Sequence, residues 1–363
     1  MSAVPYDLAV VGAGIVGCAA AAIAARRGGR VLLLDRSLVG RGTTQYSAGI
    51  DIPLGRSPRQ QELARASAAF YRALREREPR TPIHPVPLVW VVSERARPGF
   101  EAAICGALPA AAGDADLARV RAHVPSWRIP AGARAYAEER ASYAFPALVA
   151  EQLAGEVART AGCAVWEGVQ VDAVDADADG VRLTAHDGRV LAAERVLVTT
   201  GPWLAGGLLA DRLAPGALRL KKVVALHVPA APAPGAPALC FYDDDAYLVP
   251  VHERGHWLFS FTSDAWDVAP ETGSLAITAR DRALACEILD RHVPELSARA
   301  TAGRVFCDAY TADRVPLVAT DGPRVAYASG CSGSGYRLAP GVAADALARL
   351  IPVDPENPYA ALS

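Results

Sequence analysis

Tyr6-Asp7-Leu8-Ala9-Val10-Val11-Gly12-Ala13-Gly14-Ile15-Val16-Gly17 carries the reading on which the rest of the chain turns. Residues 6–11 form an apolar run without polar alternation, the pattern of a strand buried on both faces. Three glycines follow in G-x-G-x-x-G spacing, then an Ala-rich stretch that predicts a helix to about Arg27. A second apolar run, Arg30 to Leu34, ends at Asp35, 18 residues beyond Gly17. This is a βαβ unit with a right-handed crossover. Gly12 permits the tight turn, Gly14 lets backbone approach a pyrophosphate, and Gly17 lets the helix pack closely on the strand. Ala13, Ile15 and Val16 supply backbone N–H groups to the same turn, and the helix N-terminus faces the negative phosphates. Asp35 is placed to accept hydrogen bonds from a ribose diol.

Outward from this unit, residues 58–78 read as a helix, Val86 to Ser93 as a strand, and 98–135 as irregular Ala-, Gly- and Pro-rich chain. Pro146 to Ala161 reads as a helix, and residues 168–185 as antiparallel hairpins with turns at Asp179-Gly180 and Asp187-Gly188. Glu194 to Thr200 is another buried strand. Residues 219–262 alternate like sheet strands, 276–292 reads as a helix, 303–307 and 324–329 as short strands, and 340–351 as a closing helix. The order predicts an α/β chain in which two units interleave: a nucleotide-binding unit over 1–79, 141–215 and 303–363, and a substrate unit over 80–140 and 216–302.

Composition excludes several classes. With 363 residues and a formal net charge of −2, the chain can bury two sizeable cores but has no basic field for nucleic acid. Two lysines stand against thirty-five arginines, a bias read as compositional rather than chemical. No apolar run has the length of a membrane span, and no basic region precedes residues 8–25, so the expected address is cytoplasmic. The seven cysteines, at 18, 105, 163, 240, 286, 307 and 331, show neither disulfide-framework nor metal spacing, so no metal is expected.

Four further blocks follow the glycine fingerprint in order: Gly40-Arg41-Gly42-Thr43-Thr44-Gln45-Tyr46-Ser47-Ala48-Gly49; Val196-Leu197-Val198-Thr199-Thr200-Gly201-Pro202-Trp203; Tyr310-Thr311-Ala312-Asp313-Arg314-Val315-Pro316-Leu317; and Gly330-Cys331-Ser332-Gly333-Ser334-Gly335-Tyr336, followed by Leu338-Ala339-Pro340. With the fingerprint and Asp35-Arg36 they make the chain resemble the D-amino acid oxidase, glycine oxidase and sarcosine oxidase superfamily of FAD enzymes, over almost its whole length. The resemblance implies a Rossmann-like FAD-binding domain of the glutathione-reductase type and an antiparallel, mixed-sheet substrate domain. It implies cofactor contacts from Asp35, Arg36, Arg41, Thr43, Thr44, Ser47, Ala48 and Gly49. It adds Val171 at the adenine, then Thr200, Gly201 and Trp203, and finally Gly330, Cys331, Ser332, Gly333, Ser334, Gly335, Tyr336, Arg337 and Leu338. In the family the last turn presents N–H groups to the flavin pyrimidine, where charge appears on reduction. Ordinary two-domain NAD enzymes lack this closing segment, which favours FAD.

The chain also departs from the family. Many members bind the substrate carboxylate through an Arg three residues before the position of Thr311, and Asp308 stands there. An anion cannot hold a carboxylate, so the substrate is either a cationic amine without one or an acid held elsewhere. Cys307 is one residue early for covalent flavin attachment, and Cys331 stands where a His is frequent. The strand 257–261 has no Lys to assist oxygen, which leaves the electron acceptor, oxygen or another, open. Lys221 and Lys222 begin another strand. Asp308, Tyr247, Tyr336 and Lys221 are therefore the candidate substrate-side residues. Asp243-Asp244-Asp245 reads either as a solvated turn or as a rim that attracts cations. The expected function is oxidation of the C–N bond of a small amine or amino acid by hydride transfer to flavin. The alternatives are an FAD dehydrogenase of a C–OH substrate such as a 2-hydroxy acid, with Arg314 or Arg337 holding its carboxylate, and a flavin-binding subunit without turnover.

Overall fold

The computed structural model describes residues 6–351; the expectations for 1–5 and 352–363 lie outside the described residues. A six-stranded sheet runs in the order Leu317–Asp321, Val325–Ser329, Val196–Val198, Leu8–Val11, Val31–Leu34, Ala164–Trp166. All neighbours are parallel except Leu317–Asp321, which is antiparallel to Val325–Ser329. The unbroken apolar runs have a simple cause: both faces are covered. Leu8 and Val10 face a helical layer, and Ala9 and Val11 face a three-stranded antiparallel sheet of Val171–Ala176, Val181–Ala185 and Val190–Ala193.

The helical layer joins Ile15–Arg26, Pro58–Arg77, Pro146–Arg159 and Gly335–Leu350. Ten of the twelve residues of Ile15–Arg26 are buried, six of them alanines; small side chains let the helices approach closely. Helix Pro58–Arg77 starts where Ser57 Oγ accepts the Gln60 N–H (3.2 Å) and Pro58 needs no acceptor.

The closing helix begins at Gly335, five residues before the predicted start, and runs through Pro340. Pro340 has no N–H for the Tyr336 carbonyl, and that carbonyl accepts the Tyr71 hydroxyl instead (2.7 Å). The Gly341 N–H donates to Ser67 Oγ (2.9 Å), and a Cβ on Gly341 would lie 2.5 Å from the Leu63 carbonyl oxygen. The proline is thus tolerated because helix Pro58–Arg77 supplies replacement partners.

An eight-stranded mixed sheet runs Ala302–Tyr310, Arg219–Val228, His256–Trp266, Ala246–Val251, Ala238–Phe241, Leu88–Ser93, Ala133–Glu138, Ala110–Ala111. The strand read as 303–307 is longer. It pairs along its length with Arg219–Val228, so residues 302–310 join this sheet rather than the nucleotide-binding unit in which 303–363 was placed. The stretch read as irregular contains helices Arg97–Ala103 and Asp114–His123 and strand Ala133–Glu138; these are short and lean on tertiary contacts more than on their own periodicity.

One face of the large sheet packs on helix Ala279–His292 through Val224, Leu226, Phe259 and Leu289. Lys222 and Lys221 point to opposite faces. Lys222 is buried on the helix side, 2.7 Å from Asp281, whose carboxylate also accepts the Thr278 N–H and hydroxyl at the helix start. Lys222→Met would leave that carboxylate buried without its cation, at a cost of about 3 kcal/mol. The thermal midpoint should fall by several degrees, and an unchanged midpoint would show the pair to be irrelevant to stability.

Candidate active site

Both glycine-rich turns line one cavity of about 1100 Å³. Gly12 (φ +104°) turns the chain so tightly that a Cβ there would lie 2.6 Å from the Thr199 carbonyl oxygen, and one on Gly17 would lie 1.9 Å from the Gly12 carbonyl oxygen. Asp35 Oδ2 accepts the Ala13 N–H (2.7 Å) and its Oδ1 the Ser37 N–H (2.8 Å); burial pushes its pKa up despite these bonds. Asp35 therefore braces the turn as well as lining the cavity. Thr44 Oγ1 accepts the Ile15 N–H (3.0 Å) at the helix start.

The cavity wall includes Gly12, Gly14, Ile15, Val16, Asp35, Arg36, Arg41, Thr43 and Thr44 from the first half of the chain. Val171, Thr200, Gly201, Trp203, Gly330, Cys331 and Gly335 complete it from the second. The Arg36 guanidinium stacks over the Trp203 ring (4.7 Å). Thr200 Oγ1 and Trp203 Nε1 are buried without a protein partner, as expected where a polar ligand completes the wall. Of the remaining residues expected at the cofactor, Ala13, Ala48 and Leu338 are core, and Gly17 is a packing glycine. The Thr43 hydroxyl donates to the Cys307 carbonyl (3.1 Å), tying the segment Thr43–Tyr46 to the large sheet. Gln170, Asp172 and Glu271 also line the cavity; sequence reasoning missed them, and none carries a motif.

A second, smaller cavity, of about 130 Å³, lies on the other side of the closing turn. Ser47, Gly49, Ser332, Gly333, Ser334, Tyr336 and Arg337, expected at the cofactor, line this one instead. The closing turn is thus a partition: Gly330, Cys331 and Gly335 face the large cavity and its other residues the small one. Tyr247 and Tyr336 line the small cavity. Burial pushes both phenols up, so they are neutral donors. The Tyr336 ring stacks on Tyr71 (4.6 Å), and its hydroxyl is buried without a partner. Arg337 donates to Ser334 Oγ (2.7 Å), and its Nε is buried with no acceptor. Near it, burial pushes Asp51 up to about 7, against the pull of the Arg337 charge.

Two substrate-side expectations are corrected. Asp308 lines the large cavity, not the small one. Its Oδ2 accepts the Gly333 N–H (2.8 Å) and its Oδ1 the Ala309 N–H (2.9 Å), so the carboxylate braces the glycine turn. Lys221 lines neither cavity; its ammonium lies over the rings of Trp266 (4.7 Å) and Tyr310 (5.7 Å). The acidic turn is neither free nor merely solvated. Asp243 accepts from Ser93 (2.9 and 2.6 Å), Asp244 pairs with Arg291 and with His292 (2.8 Å), and Asp245 pairs with Arg56 (2.9 Å).

A βαβ glycine turn and a second glycine-rich turn lining one long cleft define the class of dinucleotide-dependent oxidoreductases. Residues 7–350 match the family described as "DAO: FAD dependent oxidoreductase", and the chain belongs to that family. It is an FAD-dependent oxidoreductase. Glycine oxidase from Geobacillus kaustophilus has the same fold, with a TM-score of 0.76 at 20% identity over 95% of this chain and 94% of that one. L-proline dehydrogenase from P. horikoshii reaches a TM-score of 0.80 at 17% identity, over 95% and 93%. Fructosyl amine:oxygen oxidoreductase (Amadoriase I) from Aspergillus fumigatus reaches 0.72 at 20%, over 95% and 86%. No match was found among curated proteins. Among the described residues no helix is long and apolar enough to cross a membrane.

Gly14→Val would put methyl groups beside Thr44 Oγ1, 3.2 Å from a Cβ at that position, and into the cleft. The folded variant should purify without FAD; stoichiometric flavin absorbance would contradict this placement. Burial raises Asp308 to about 6. The folded chain then holds that proton more tightly than the unfolded chain does, so the buried charge weighs against folding above about pH 6 and this burden fades towards pH 4. Asp308→Asn should accordingly gain stability relative to the parent as the pH rises from about 4 to about 6, and hold that gain above it. Thermal midpoints that move in parallel across that range would contradict the burial of this charge.

Proposed function

We propose that the protein oxidises the C–N bond of a small amino or imino acid whose carboxylate is held by Arg337. The observation that carries this reading is the buried, unpartnered Nε of Arg337 in a small cavity that adjoins the large one at the same glycine turn. A planar guanidinium in a partly desolvated site suits a carboxylate. The anchor missing at Asp308 is supplied from the first turn of the closing helix. Bound FAD supplies the hydride acceptor. The chain's own contribution is to hold the carboxylate at Arg337 and to offer Tyr247 and Tyr336 as neutral phenols that fix the amine and exclude water. The product is an imine, which water hydrolyses to a carbonyl compound. Glycine and L-proline, for which two of the fold relatives are named, are carboxylates of this kind.

The lining of the small cavity also favours an amine over an alcohol. A hydroxyl must lose its proton to a base as the hydride leaves, whereas a neutral amine needs none. Among the described residues that line the cavity there is no His or Lys, and the one carboxylate, Asp245, is ion-paired.

The test is anaerobic mixing of the holoenzyme with amino acids, simple amines and 2-hydroxy acids, reading the loss of oxidised-flavin absorbance. Amino or imino acids should bleach the flavin. Bleaching only by hydroxy acids, or by nothing in the panel, would overturn the reading. Arg337→Gln should keep its flavin and weaken apparent substrate affinity by about thirtyfold or more. An unchanged KM would remove Arg337 from the site.

A further inference from the structure

We propose that the small cavity is built for a dianion: an amino or imino acid carrying a second carboxylate, held at the cavity mouth by Arg56 and Arg314. The inference rests on the reading that Arg337 holds the first carboxylate.

The charges lining the cavity do not balance. Three guanidiniums, Arg56, Arg314 and Arg337, face a single carboxylate, Asp245. Asp245 is shared: it lies 2.9 Å from Arg56 and 3.6 Å from Arg314, and it also accepts the Thr262 hydroxyl (3.1 Å). One carboxylate between two arginines leaves the mouth with an excess positive charge, separate from that of Arg337 in the interior. A substrate with one carboxylate and a neutral amine compensates only one of the two. A second carboxylate compensates both.

The mouth is also assembled with more care than a solvated rim requires. Its residues come from three distant segments, and one buried side chain joins two of them. Gln60 accepts the Arg56 N–H through Oε1 (2.7 Å) and donates through Nε2 to the Arg314 carbonyl (2.5 Å). Asp245 (φ +48°) and Arg314 (φ +61°) are both non-glycine residues in the left-handed region, a conformation that persists where surrounding contacts impose it and that recurs at ligand clamps. Arg56 is further steadied over the Tyr242 ring (5.2 Å). These contacts hold the backbone from which both arginines project, and Asp245 and Tyr242 steady the Arg56 guanidinium, which lowers the ordering cost of binding an anion there.

The Arg56 and Arg314 side chains keep 36% and 43% of their surface exposed, so their pull is screened. The expected gain is therefore about tenfold in affinity rather than thousands. The experiment titrates the FAD holoenzyme with two inert ligands of matched length, succinate and butyrate, at constant ionic strength. Perturbation of the flavin spectrum reports binding without turnover. Succinate should bind at least about tenfold more tightly, and the Arg56→Gln/Arg314→Gln double variant should narrow that gap to within about threefold. In turnover, aspartate should show the same advantage over 2-aminobutyrate, again narrowed in the variant.

Equal affinities in the parent protein would overturn the inference without any variant, as would a gap that survives the double substitution. If butyrate binds, is lost in Arg337→Gln, and succinate does no better, only the second-anion site falls. If neither acid perturbs the flavin, the Arg337 anchor falls and the second site with it.

Discussion

The contact on which the rest of the structure depends is backbone against backbone: helix Ile15–Arg26 seats on the strand-to-helix turn so closely that position 17 has no room for a side chain beneath the Gly12 carbonyl. That seating aims the start of the helix into the FAD cleft. It also explains why so many neighbouring groups are committed to the turn itself. Asp35 takes the Ala13 N–H, Thr44 takes the Ile15 N–H, and the Thr199 hydroxyl takes the Gly12 carbonyl (2.9 Å). Each is a polar group that would otherwise lie in the cleft unpaired. The turn is rigid because three separate segments each hold it by one hydrogen bond: Asp35 and Thr44 accept from it, and Thr199 donates to it.

A second glycine turn, at 330–337, faces the first across the cleft, and its construction differs. It is pinned by the end of a strand of the other sheet: Asp308 takes the Gly333 N–H, the Ala309 carbonyl takes the Ser332 N–H (3.0 Å), and Tyr310 bridges to Cys331. The large sheet and the nucleotide-binding sheet are therefore joined at the partition between the two cavities. The Thr43 hydroxyl on the Cys307 carbonyl makes a similar tie one residue earlier on the same strand. Strand Ala302–Tyr310 belongs to the substrate-side sheet by its pairing, yet it carries cofactor-side contacts on one edge. This double membership is why a boundary drawn at residue 303 from sequence cut through a strand.

What could be read from sequence was what is local. The strand, glycine turn and helix of residues 6–34 declare themselves because burial on both faces, tight turning and close packing each require a residue type at a fixed spacing. The closing turn was equally visible, although Pro340 hid the start of its helix, since the partners that tolerate that proline, Tyr71 and Ser67, lie more than 260 residues away. The small cavity was the least readable part. Arg56 and Asp245 are 189 residues apart, and nothing in either neighbourhood announces the other. Tyr247, Tyr336 and Arg337 were found because they sit beside recognisable blocks. Arg56 sits beside none.

The same reasoning explains why Asp308 was misplaced. The residue three before Thr311 was expected to meet substrate because a family Arg does so, but chain position fixes only the strand face, not the reach of the side chain. Asp is three bonds shorter and stops at the first donors it meets, the N–H groups of Gly333 and Ala309. Replacing a long cation by a short anion therefore converts a ligand contact into a brace. Arg337, in the same turn, keeps a buried Nε without a protein acceptor on the small-cavity side, which is the feature the proposed carboxylate anchor uses.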